Sequence, residues 1–314
     1  MKSILLCSAL VLLAPALYGQ GQSAHAIRHR EVAVTFDDLP ATHNGMKQMT
    51  TITRNLLRTI QTHNIPAIGF VNEGKLHVRG ELNARTSLLR QWVDAGLELG
   101  NHTFSHVWID RVPLGAYKEE VIRGETVTKM LLRERQRQLR YFRHTQLRTG
   151  PTKKYKEALD AFLASRGYTV APVTLDNNEY IFAAVYSRAK EKNDSTVLRQ
   201  VAHEYIGYME EVFEHFERLS VALLGYEVKQ ILLLHANELN ADYFEDVVQM
   251  IKRRGYKFIL LEEALKDPAY RLPDVQSKRG LSWIHRWKLA RGEPMEPEPN
   301  VPADIAQLFR TYGQ

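Results

Sequence analysis

The chain has 314 residues, of which 44% are hydrophobic and 25% are charged, and its formal net charge is +6 at pH 7. These values are typical of a globular protein and exclude collagen-like, disordered and polytopic membrane chains. The single cysteine, Cys7, excludes a disulfide framework, a cysteine-rich zinc ribbon and a thioredoxin-like pair. Any chemistry in this chain therefore depends on other side chains.

The first twenty residues have the pattern of a secretory signal peptide. Lys2 precedes an apolar run over residues 4–13, and small residues lead to a cleavage point that we place near Gly19. A lipoprotein signal would require Cys7 directly after a small-residue box, whereas two leucines precede it. We therefore expect a secreted or periplasmic protein whose mature chain contains no cysteine. No later segment has the run of about 18 apolar residues that a transmembrane helix needs.

Downstream, short β-branched or apolar runs alternate with segments of helical periodicity. Seven such runs predict an α/β fold with a parallel sheet that is covered on both faces. The predicted strands are 31–36, 66–71, 97–101, 139–143, 169–175, 230–234 and 257–260, and the predicted helices between them are 46–63, 81–95, 116–136, 152–166 and 241–254.

The interval 187–229 interrupts this alternation with a long helical segment, 195–224. Apolar residues recur in it at helical spacing, which predicts a packing face rather than a ligand site. This face consists of Val201, Tyr205, Tyr208, Met209, Val212 and Phe216.

The sequence changes character after residue 265, where repeated prolines predict an irregular extension. Its apolar residues Trp283, Ile284, Trp287 and Leu289 are expected to pack back on the rest of the protein. The predicted organisation is a signal peptide (1–20), one main domain (28–265) that contains the insertion 187–229, and a docked C-terminal extension (266–314).

Six arginines are crowded into residues 133–148. They lack the regular alternation with aromatic side chains that single-stranded nucleic acids require, so we interpret them as a solvated helix face and expect no nucleic-acid partner. A patch for an anionic polymer is the alternative interpretation. These residues are Arg133, Arg135, Arg137, Arg140, Arg143 and Arg148.

Acids, imidazoles or an arginine follow five of the seven predicted strands. In parallel sheets and barrels, the carboxyl ends of the strands form the functional site, so these side chains are expected to converge. They are Asp37 and Asp38 after the first strand, His102 and His106 after the third, Arg143 at the end of the fourth, Asp176 after the fifth and His235 after the sixth.

Part of this set has the composition of a metal site. The pair Asp37 and Asp38 alone is more typical of a turn or a helix cap. His102 and His106 are four residues apart, a spacing that a helical turn would bring to chelating distance, although such a pair often occurs by accident. Two histidines and one carboxylate from separate strand ends form the three-ligand site, open to water, that hydrolytic zinc enzymes use. The sequence therefore predicts one divalent ion, Zn²⁺, with Co²⁺, Ni²⁺ or Fe²⁺ as alternatives.

The remaining residues offer the proton transfers that a hydrolase needs. Asp37 could take a proton from an activated water, and His235 could protonate a leaving amine. Arg143 would keep Asp37 ionised, and Asp176 could orient His235. Taken singly, each of these residues is more typical of a structural salt bridge or a satisfied polar group.

Three segments of the sequence carry a family resemblance. VAVTFDD (32–38), NHTFSH (101–106) and LLLH (232–235) resemble the polysaccharide deacetylases of carbohydrate esterase family 4, the NodB homology domain, over roughly residues 30–265. The resemblance implies a catalytic domain that is a distorted seven-stranded β/α barrel. It implies that Asp37 is the base, that Asp38, His102 and His106 are the metal ligands, that His235 is the acid, and that Arg143 and Asp176 belong to the third and fourth family motifs.

Two motifs depart from the family pattern. The third motif commonly reads Arg-x-Pro-Tyr, whereas residues 143–146 read Arg-His-Thr-Gln. The main-chain N–H of Gln146 can still hold an oxyanion, but one aromatic wall of the sugar site is lost. Tyr180 stands where the fourth motif usually has tryptophan. We expect these changes to affect the choice of substrate more than the chemistry.

The sequence thus predicts a secreted, metal-dependent hydrolase that removes N-acetyl groups from amino-sugar poly- or oligosaccharides, either chitin-like chains or peptidoglycan. Two alternatives stay open. The insertion 187–229 could act as a lid and restrict the site to small N-acyl amines or esters. The chain could also be a non-catalytic carbohydrate-binding relative, although a binding module has no use for a base such as Asp37.

Overall fold

The computed structural model describes residues 30–43 and 45–312, so the predicted signal peptide lies outside the described residues. Across these residues, strands and helices alternate along the chain, and no helix is both long and apolar enough to cross a membrane. The strands are β1 (Arg30–Leu39), β2 (Ile68–Val71), β3 (Glu98–Asn101), β4 (Tyr141–Phe142), β5 (Thr169–Val170), β6 (Gln230–His235) and β7 (Tyr256–Phe258). The helices are α1 (Met46–Thr62), α2 (Leu82–Asp94), α3 (Leu114–Arg123), α4 (Thr126–Arg133), α5 (Lys153–Ser165), α6 (Glu179–Glu191), α7 (Ser195–Leu224), α8 (Glu238–Arg253), α9 (Leu261–Ala264), α10 (Trp283–Ala290) and α11 (Ala303–Tyr312).

The seven strands form one parallel sheet with the order β5-β4-β3-β2-β1-β6, and β7 pairs with the beginning of β1. The sheet curls until its two edges meet, because Leu175, beyond β5, pairs in parallel with Leu232 of β6. The Leu175 N–H donates to the Ile231 carbonyl across this junction at 3.1 Å. The predicted fold class, a distorted parallel α/β barrel with a helical segment before the sixth strand, is therefore confirmed.

Alternation along the strands divides their side chains between two cores. Phe36 packs edge-on against Trp92 of α2 and Phe244 of α8, so its side of β1 faces the outer helices. Ala33 belongs instead to a small cluster with Phe70 and Ile231 that fills the barrel interior. Because residues of equal parity share a face, Asp37 of β1 and His235 of β6 lie on the inward side of their strands.

Two helical predictions need correction. The predicted helix 116–136 is divided into α3 and α4 at Gly124, where a Cβ atom would lie 2.7 Å from the carbonyl carbon of Thr103. Helix α6 was not predicted and begins before the predicted insertion; its N-cap residue is Asn178, a type common at helix starts, although that side chain makes no capping bond.

The long helix α7 has the predicted bounds, and all six residues of its predicted packing face are buried. In the C-terminal extension, Trp283, Ile284 and Trp287 of α10 are buried as well. The Trp283 N–H donates to the Val173 carbonyl at 2.7 Å, which fastens α10 to the chain between β5 and β6.

The arginines of residues 133–148 do not form one solvated helix face, so that interpretation is wrong. Only Arg133 lies in a helix, and Arg143 is fully buried in the barrel. Arg140 and Arg148 pair with Glu98 and Asp110, because loops and strand ends carry these arginines to different parts of the molecule.

Candidate metal centre and active site

The barrel mouth brings Asp37 and His235 side by side. These residues are direct partners in the parallel ladder between β1 and β6. Main-chain hydrogen bonds also hold the start of the loop after β3 next to the ends of β2 and β4. The His102 N–H donates to the Val71 carbonyl, and the Arg143 N–H donates to the Asn101 carbonyl. The predicted convergence of side chains from β1, β3, β4 and β6 is therefore set by the strand register.

His102 and His106 meet in an irregular loop and not on a helical turn as expected from their spacing. Thr103 and His106 both have left-handed backbone conformations, with φ of 67° and 54°. These two residues fold the chain back on itself, and the two imidazole centroids lie 5.0 Å apart. Such conformations are uncommon for residues other than glycine and are found at functional sites.

The surrounding elements brace this loop closely. Asn72 donates its side-chain amide to the His102 carbonyl at 2.5 Å. Glu120 of α3 accepts hydrogen bonds from both the main-chain N–H and the hydroxyl of Ser105, each at 2.7 Å. The backbone of Gly124 lies directly against Thr103, where no larger residue fits. The loop therefore has little freedom to move its two histidines.

Asp38 completes a cluster that could hold a metal ion. One ligand atom from each of Asp38, His102 and His106 lies within 4.8 Å of the others, and among residues 30–43 and 45–312 no second group of this kind is found. The Asp38 Oδ1 atom lies 4.0 Å from His102 Nε2 and 3.6 Å from His106 Nε2. That oxygen is buried without a hydrogen-bond donor, as a ligand atom facing a cation would be.

The backbone explains how two adjacent aspartates serve one site. The β1–β2 register shifts between Phe36 and Leu39, and Asp38 in this bulge has a φ of 69°. Asp38 Oδ1 consequently faces His102 Nε2 from the same side as Asp37 Oδ2, which lies 3.6 Å from that nitrogen, although consecutive strand residues would point to opposite faces.

Lys75 is a neighbour of the cluster that the sequence did not reveal. Its ammonium group donates to the Asp38 carbonyl at 3.0 Å and lies 3.6 Å from Asp38 Oδ1. Burial would raise the pKa of Asp38, but the charge of Lys75 and the nearby imidazoles outweigh it and lower that pKa well below its usual range. Asp38 is therefore an anion at neutral pH.

Both histidines of the cluster are neutral at neutral pH. Burial lowers the pKa of His102 to about 4, and it lowers the pKa of His106 to about 4 as well. The His102 Nδ1–H donates to the Arg143 carbonyl at 2.8 Å, which leaves the Nε2 lone pair directed at Asp38. A neutral imidazole whose other nitrogen donates to a carbonyl is the usual form of a histidine metal ligand.

Asp37 is buried beside Arg143, as predicted. The Arg143 Nη1 atom lies 3.7 Å from Asp37 Oδ2, and its Nη2 atom donates to the Thr35 hydroxyl at 3.0 Å. Burial raises the pKa of Asp37, and the charge of Arg143 offsets part of this rise. A carboxyl group with a raised pKa and a retained cationic partner is suited to accept a proton near neutral pH.

The orienting partner of His235 is Glu179 and not Asp176 as suggested by the sequence. Glu179, at the first turn of α6, is fully buried, and its Oε2 atom lies 2.7 Å from His235 Nδ1. Asn237 and Asn240 donate to its other oxygen. Burial lowers the pKa of His235, but the charge and hydrogen bond of Glu179 and the charges of the aspartates outweigh it, and the pKa rises to about 9.

Asp176 lies in the same cavity but does not bond to His235. Its carboxylate accepts the neighbouring Asn177 N–H at 2.9 Å. Burial and the charge of Glu298 in the C-terminal extension raise the pKa of Asp176 to about 7. The acid that could have been recognised as the partner of His235 is three residues downstream, and its only sequence signal is its position just after a strand end.

A cavity of about 860 Å³ opens over these residues. Its walls include Trp108, Gln146, Arg148, Tyr180 and Arg188, and Tyr180 is 53% exposed. The guanidinium groups of Arg111 and Arg148 each lie 4.5 Å from the centre of the Trp108 ring. The cavity therefore offers aromatic and cationic groups beside the metal cluster and has the size of a small-molecule site.

Comparison with known families agrees with the motifs. A family model described as "Polysaccharide deacetylase" matches residues 25–170, which include Asp37, Asp38, His102, His106 and Arg143. This stretch is a little under half of the chain, and the predicted resemblance to that family is confirmed. No curated protein sequence matches the chain.

Solved structures that are similar to this chain include proteins titled deacetylases and one titled a pseudoenzyme. A mutant of BA3943, titled a family 4 pseudoenzyme and from Bacillus anthracis, superposes with a TM-score of 0.50 at 12% identity, over 76% of this chain and 68% of that chain. The peptidoglycan deacetylase PdaC from Bacillus subtilis gives a TM-score of 0.47 at 15% identity, over 76% and 93%. The polysaccharide deacetylase Bc1974 from Bacillus cereus gives 0.47 at 15% identity, over 74% and 91%. At 12% identity, the likeness to the BA3943 mutant shows the fold alone.

Proposed function

We propose that the protein is a secreted, metal-dependent hydrolase that removes acetyl groups from N-acetylated amino-sugar saccharides. The observation that supports this proposal most strongly is the arrangement at the barrel mouth. A three-ligand cluster of Asp38, His102 and His106 lies beside a carboxylate, Asp37, and an imidazole, His235. The raised pKa of Asp37 suits a general base, and the pKa of His235, raised to about 9, keeps that imidazole protonated at neutral pH as an acid must be.

The residues of the cluster fit a divalent ion. Two neutral imidazoles and one anionic carboxylate are the donor set of catalytic zinc sites, and the buried Asp38 Oδ1 accepts no hydrogen bond from the described residues. When bound, such an ion lowers the pKa of water and polarises a carbonyl oxygen. Zn²⁺ is our first choice, with Co²⁺, Ni²⁺ or Fe²⁺ as alternatives for this ligand set.

The protein's own groups then divide the proton transfers between two neighbouring side chains. Asp37, held by Arg143, takes the proton from the water that attacks the acetyl carbonyl. His235, charged at neutral pH and oriented by Glu179, gives its proton to the amine nitrogen as the carbon–nitrogen bond breaks. The main-chain N–H of Gln146 is available to the developing oxyanion. Acetate and a free amino sugar are the products.

The choice of substrate rests on the family and on the cavity. PdaC and Bc1974 are titled peptidoglycan and polysaccharide deacetylases, and Tyr180 offers an exposed ring on which a sugar can stack. A cleaved N-terminal signal would bring the chain to the cell wall or the medium, where such polymers occur.

Acetate release by the zinc-reconstituted chain is the decisive measurement. We expect release from at least one member of a panel of chitin oligomers and peptidoglycan fragments, and its loss in Asp37→Asn. Because a pseudoenzyme shares the fold, the same experiment also tests the alternative of a non-catalytic carbohydrate-binding relative. Saccharide binding without acetate release from any substrate would establish that alternative and overturn the proposal.

The structure of α6 favours a second candidate, a hydrolase of short saccharides or small N-acyl amines. Ala183, Ala184 and Ser187 of α6 form one wall of the cavity. The Ser187 hydroxyl lies 3.1 Å from His43 Nε2 in the loop after β1, and both residues line the cavity. We infer that this contact closes one end of the cavity, which would exclude the interior of a long polymer.

Rates on monomer, tetramer and polymer separate the two candidates. A rate that falls with length would support the short-substrate candidate, and a rate that rises with length would exclude it. His43→Ala should improve the relative rate on tetramer by opening the closed end. His203→Ala, at an exposed position on α7, is the matched control and should leave the length preference unchanged.

A further inference from the structure

Gln146 stands where the family pattern has an aromatic residue, and its side chain contacts a predicted metal ligand. The Gln146 Nε2 atom lies 3.1 Å from His106 Nδ1. The Gln146 Oε1 atom is buried without a hydrogen-bond partner. A role for Gln146 in preparing the metal site rests on the proposed function.

The contact fixes which nitrogen of His106 carries the proton. When the Gln146 amide N–H donates to Nδ1, Nδ1 is the acceptor and the proton of the neutral ring sits on Nε2. That Nε2–H faces the Asp38 carboxylate at 3.6 Å. This arrangement suits the metal-free protein, but it blocks the lone pair that a metal would need.

A glutamine side chain can also serve the other tautomer. If the amide rotates by half a turn, Oε1 accepts a hydrogen bond from Nδ1–H, and the Nε2 lone pair of His106 becomes free to bind a metal. In either orientation, one end of the amide contacts His106 and the other end occupies the position of Oε1, which has no hydrogen-bond partner in the protein. Only the contact with His106 differs, so the tautomer of His106 determines which orientation is favoured.

We propose that Gln146 is a positioning residue whose amide reverses when a divalent metal binds and thereby supports both tautomers of His106. The usual motif has a tyrosine at this position, whereas this chain has an amide there, which carries a donor at one end and an acceptor at the other. The replacement of that tyrosine by glutamine thus changes the support of a metal ligand as well as the wall of the sugar site.

The C-terminal extension holds Gln146 in place for this function. Gln146 and Leu147 both have left-handed conformations, with φ of 49° and 52°. The buried Arg286 of α10 donates to the Leu147 carbonyl and, at 3.1 Å, to the Thr149 hydroxyl. Gly280 passes so close that a Cβ atom there would lie 2.4 Å from the Gln146 carbonyl oxygen. The backbone is thus fixed while the side-chain amide is free to rotate.

The test measures zinc affinity and the His106 tautomer in the full-length protein, without reference to turnover. Zinc affinity is measured by competition with a chelator, and the tautomer by ring ¹⁵N chemical shifts near neutral pH. We expect Nε2–H in the metal-free protein and Nδ1–H with zinc bound. Gln146→Leu, which supports neither tautomer, should weaken zinc binding by about 10- to 100-fold.

Gln146→Glu gives the complementary result. A carboxylate only accepts hydrogen bonds, so metal-free Gln146→Glu should already show Nδ1–H and should bind zinc more tightly than the wild type. Gln136→Leu is the matched control, because Gln136 is an exposed glutamine that is also left-handed, with φ of 55°. Its zinc affinity should equal that of the wild type.

Each outcome is decisive. Equal zinc affinity in Gln146→Leu and the wild type, or Nδ1–H in the metal-free wild type, would overturn the role of Gln146 even if acetate is released. The expected affinities and tautomers without acetate release would overturn the proposed function alone. A wild-type chain that binds no zinc would overturn both.

Discussion

His235 Nδ1 lies 2.7 Å from the Oε2 atom of Glu179, a carboxylate that is fully buried at the start of α6. This contact joins the helical segment that interrupts the barrel to the proposed acid. The same helix carries Tyr180 and Ser187 to the cavity. The segment before β6 therefore contributes to proton transfer as well as to the shape of the site.

The first prediction follows from the charge of Glu179. In the wild type, Glu179 helps to raise the pKa of His235 to about 9. Removing this charge lowers that pKa, so His235 loses its proton, and the enzyme its activity, at a lower pH. We expect Glu179→Gln to move the alkaline limb of kcat/KM downward by about one to three pH units. Glu179→Asp, which keeps the charge, and Glu211→Gln, at an exposed position on α7, should leave this limb near the wild-type position. An unmoved limb in Glu179→Gln would contradict the assignment of His235 as the acid.

The sequence predicted most of the site because strand order and strand ends are encoded locally. Apolar runs fix the strands, and the register of parallel neighbours then brings Asp37, His102 and His235 to one mouth. These relations depend on hydrogen bonds between main chains, which every residue type can make. Motifs at strand ends were therefore sufficient to place the side chains.

The parts that could not be predicted depend on tertiary contacts. The histidine loop turns on Thr103 and His106 in left-handed conformations that propensity does not favour, and only packing against Gly124 and Glu120 explains them. The bond from His235 to Glu179 requires the start of α6 to lie beside the end of β6, and the N-cap residue Asn178 indicates a helix start but not where that helix packs. Periodicity carries no information about such contacts.

The second prediction concerns the ion pair of Asp37 and Arg143. The charge of Arg143 lowers the pKa of Asp37, whose net pKa is raised by burial, so removing that charge raises it further. Because the base must be ionised, Arg143→Met should move the acidic limb of kcat/KM upward by about one to three pH units. Arg143→Lys keeps a cation and should retain most of the wild-type profile. The same acidic limb in Arg143→Met and the wild type would show that Asp37 is not the base.

The third prediction separates metal ligands from the base. Asp38→Ala and His102→Ala each remove a donor atom. Loss of a residue that only supports a ligand typically lowers metal affinity by about 10- to 100-fold, so these two variants should lose more zinc affinity than that. Asp37→Asn should retain zinc and reduce turnover by about 10² to 10⁴, the usual contribution of a general base. Zinc content after dialysis, measured by atomic spectroscopy, distinguishes the variants. Equal zinc loss in all three would mean that these roles are wrongly assigned.

The fourth prediction tests whether the loop that carries His102 and His106 depends on its contact with Gly124. A Cβ atom on Gly124 would lie 2.7 Å from the Thr103 carbonyl carbon and 2.9 Å from the Phe104 nitrogen, both of which are backbone atoms that cannot rotate away. Gly124→Ala should therefore push the loop outward, destabilise the fold by about 1–3 kcal/mol and weaken zinc binding.

Gly115→Ala is the matched control for this variant, because Gly115 lies in the adjoining helix α3 and a Cβ atom there meets nothing within 4 Å. It should leave zinc affinity unchanged and leave stability equal or raise it by about 0.4–1 kcal/mol, since alanine restricts the unfolded chain. Zinc titration and thermal unfolding of both variants check these values. If Gly124→Ala unfolds at a lower temperature but binds zinc like the wild type, the contact with Thr103 serves the fold alone, and the positions of His102 and His106 do not depend on it.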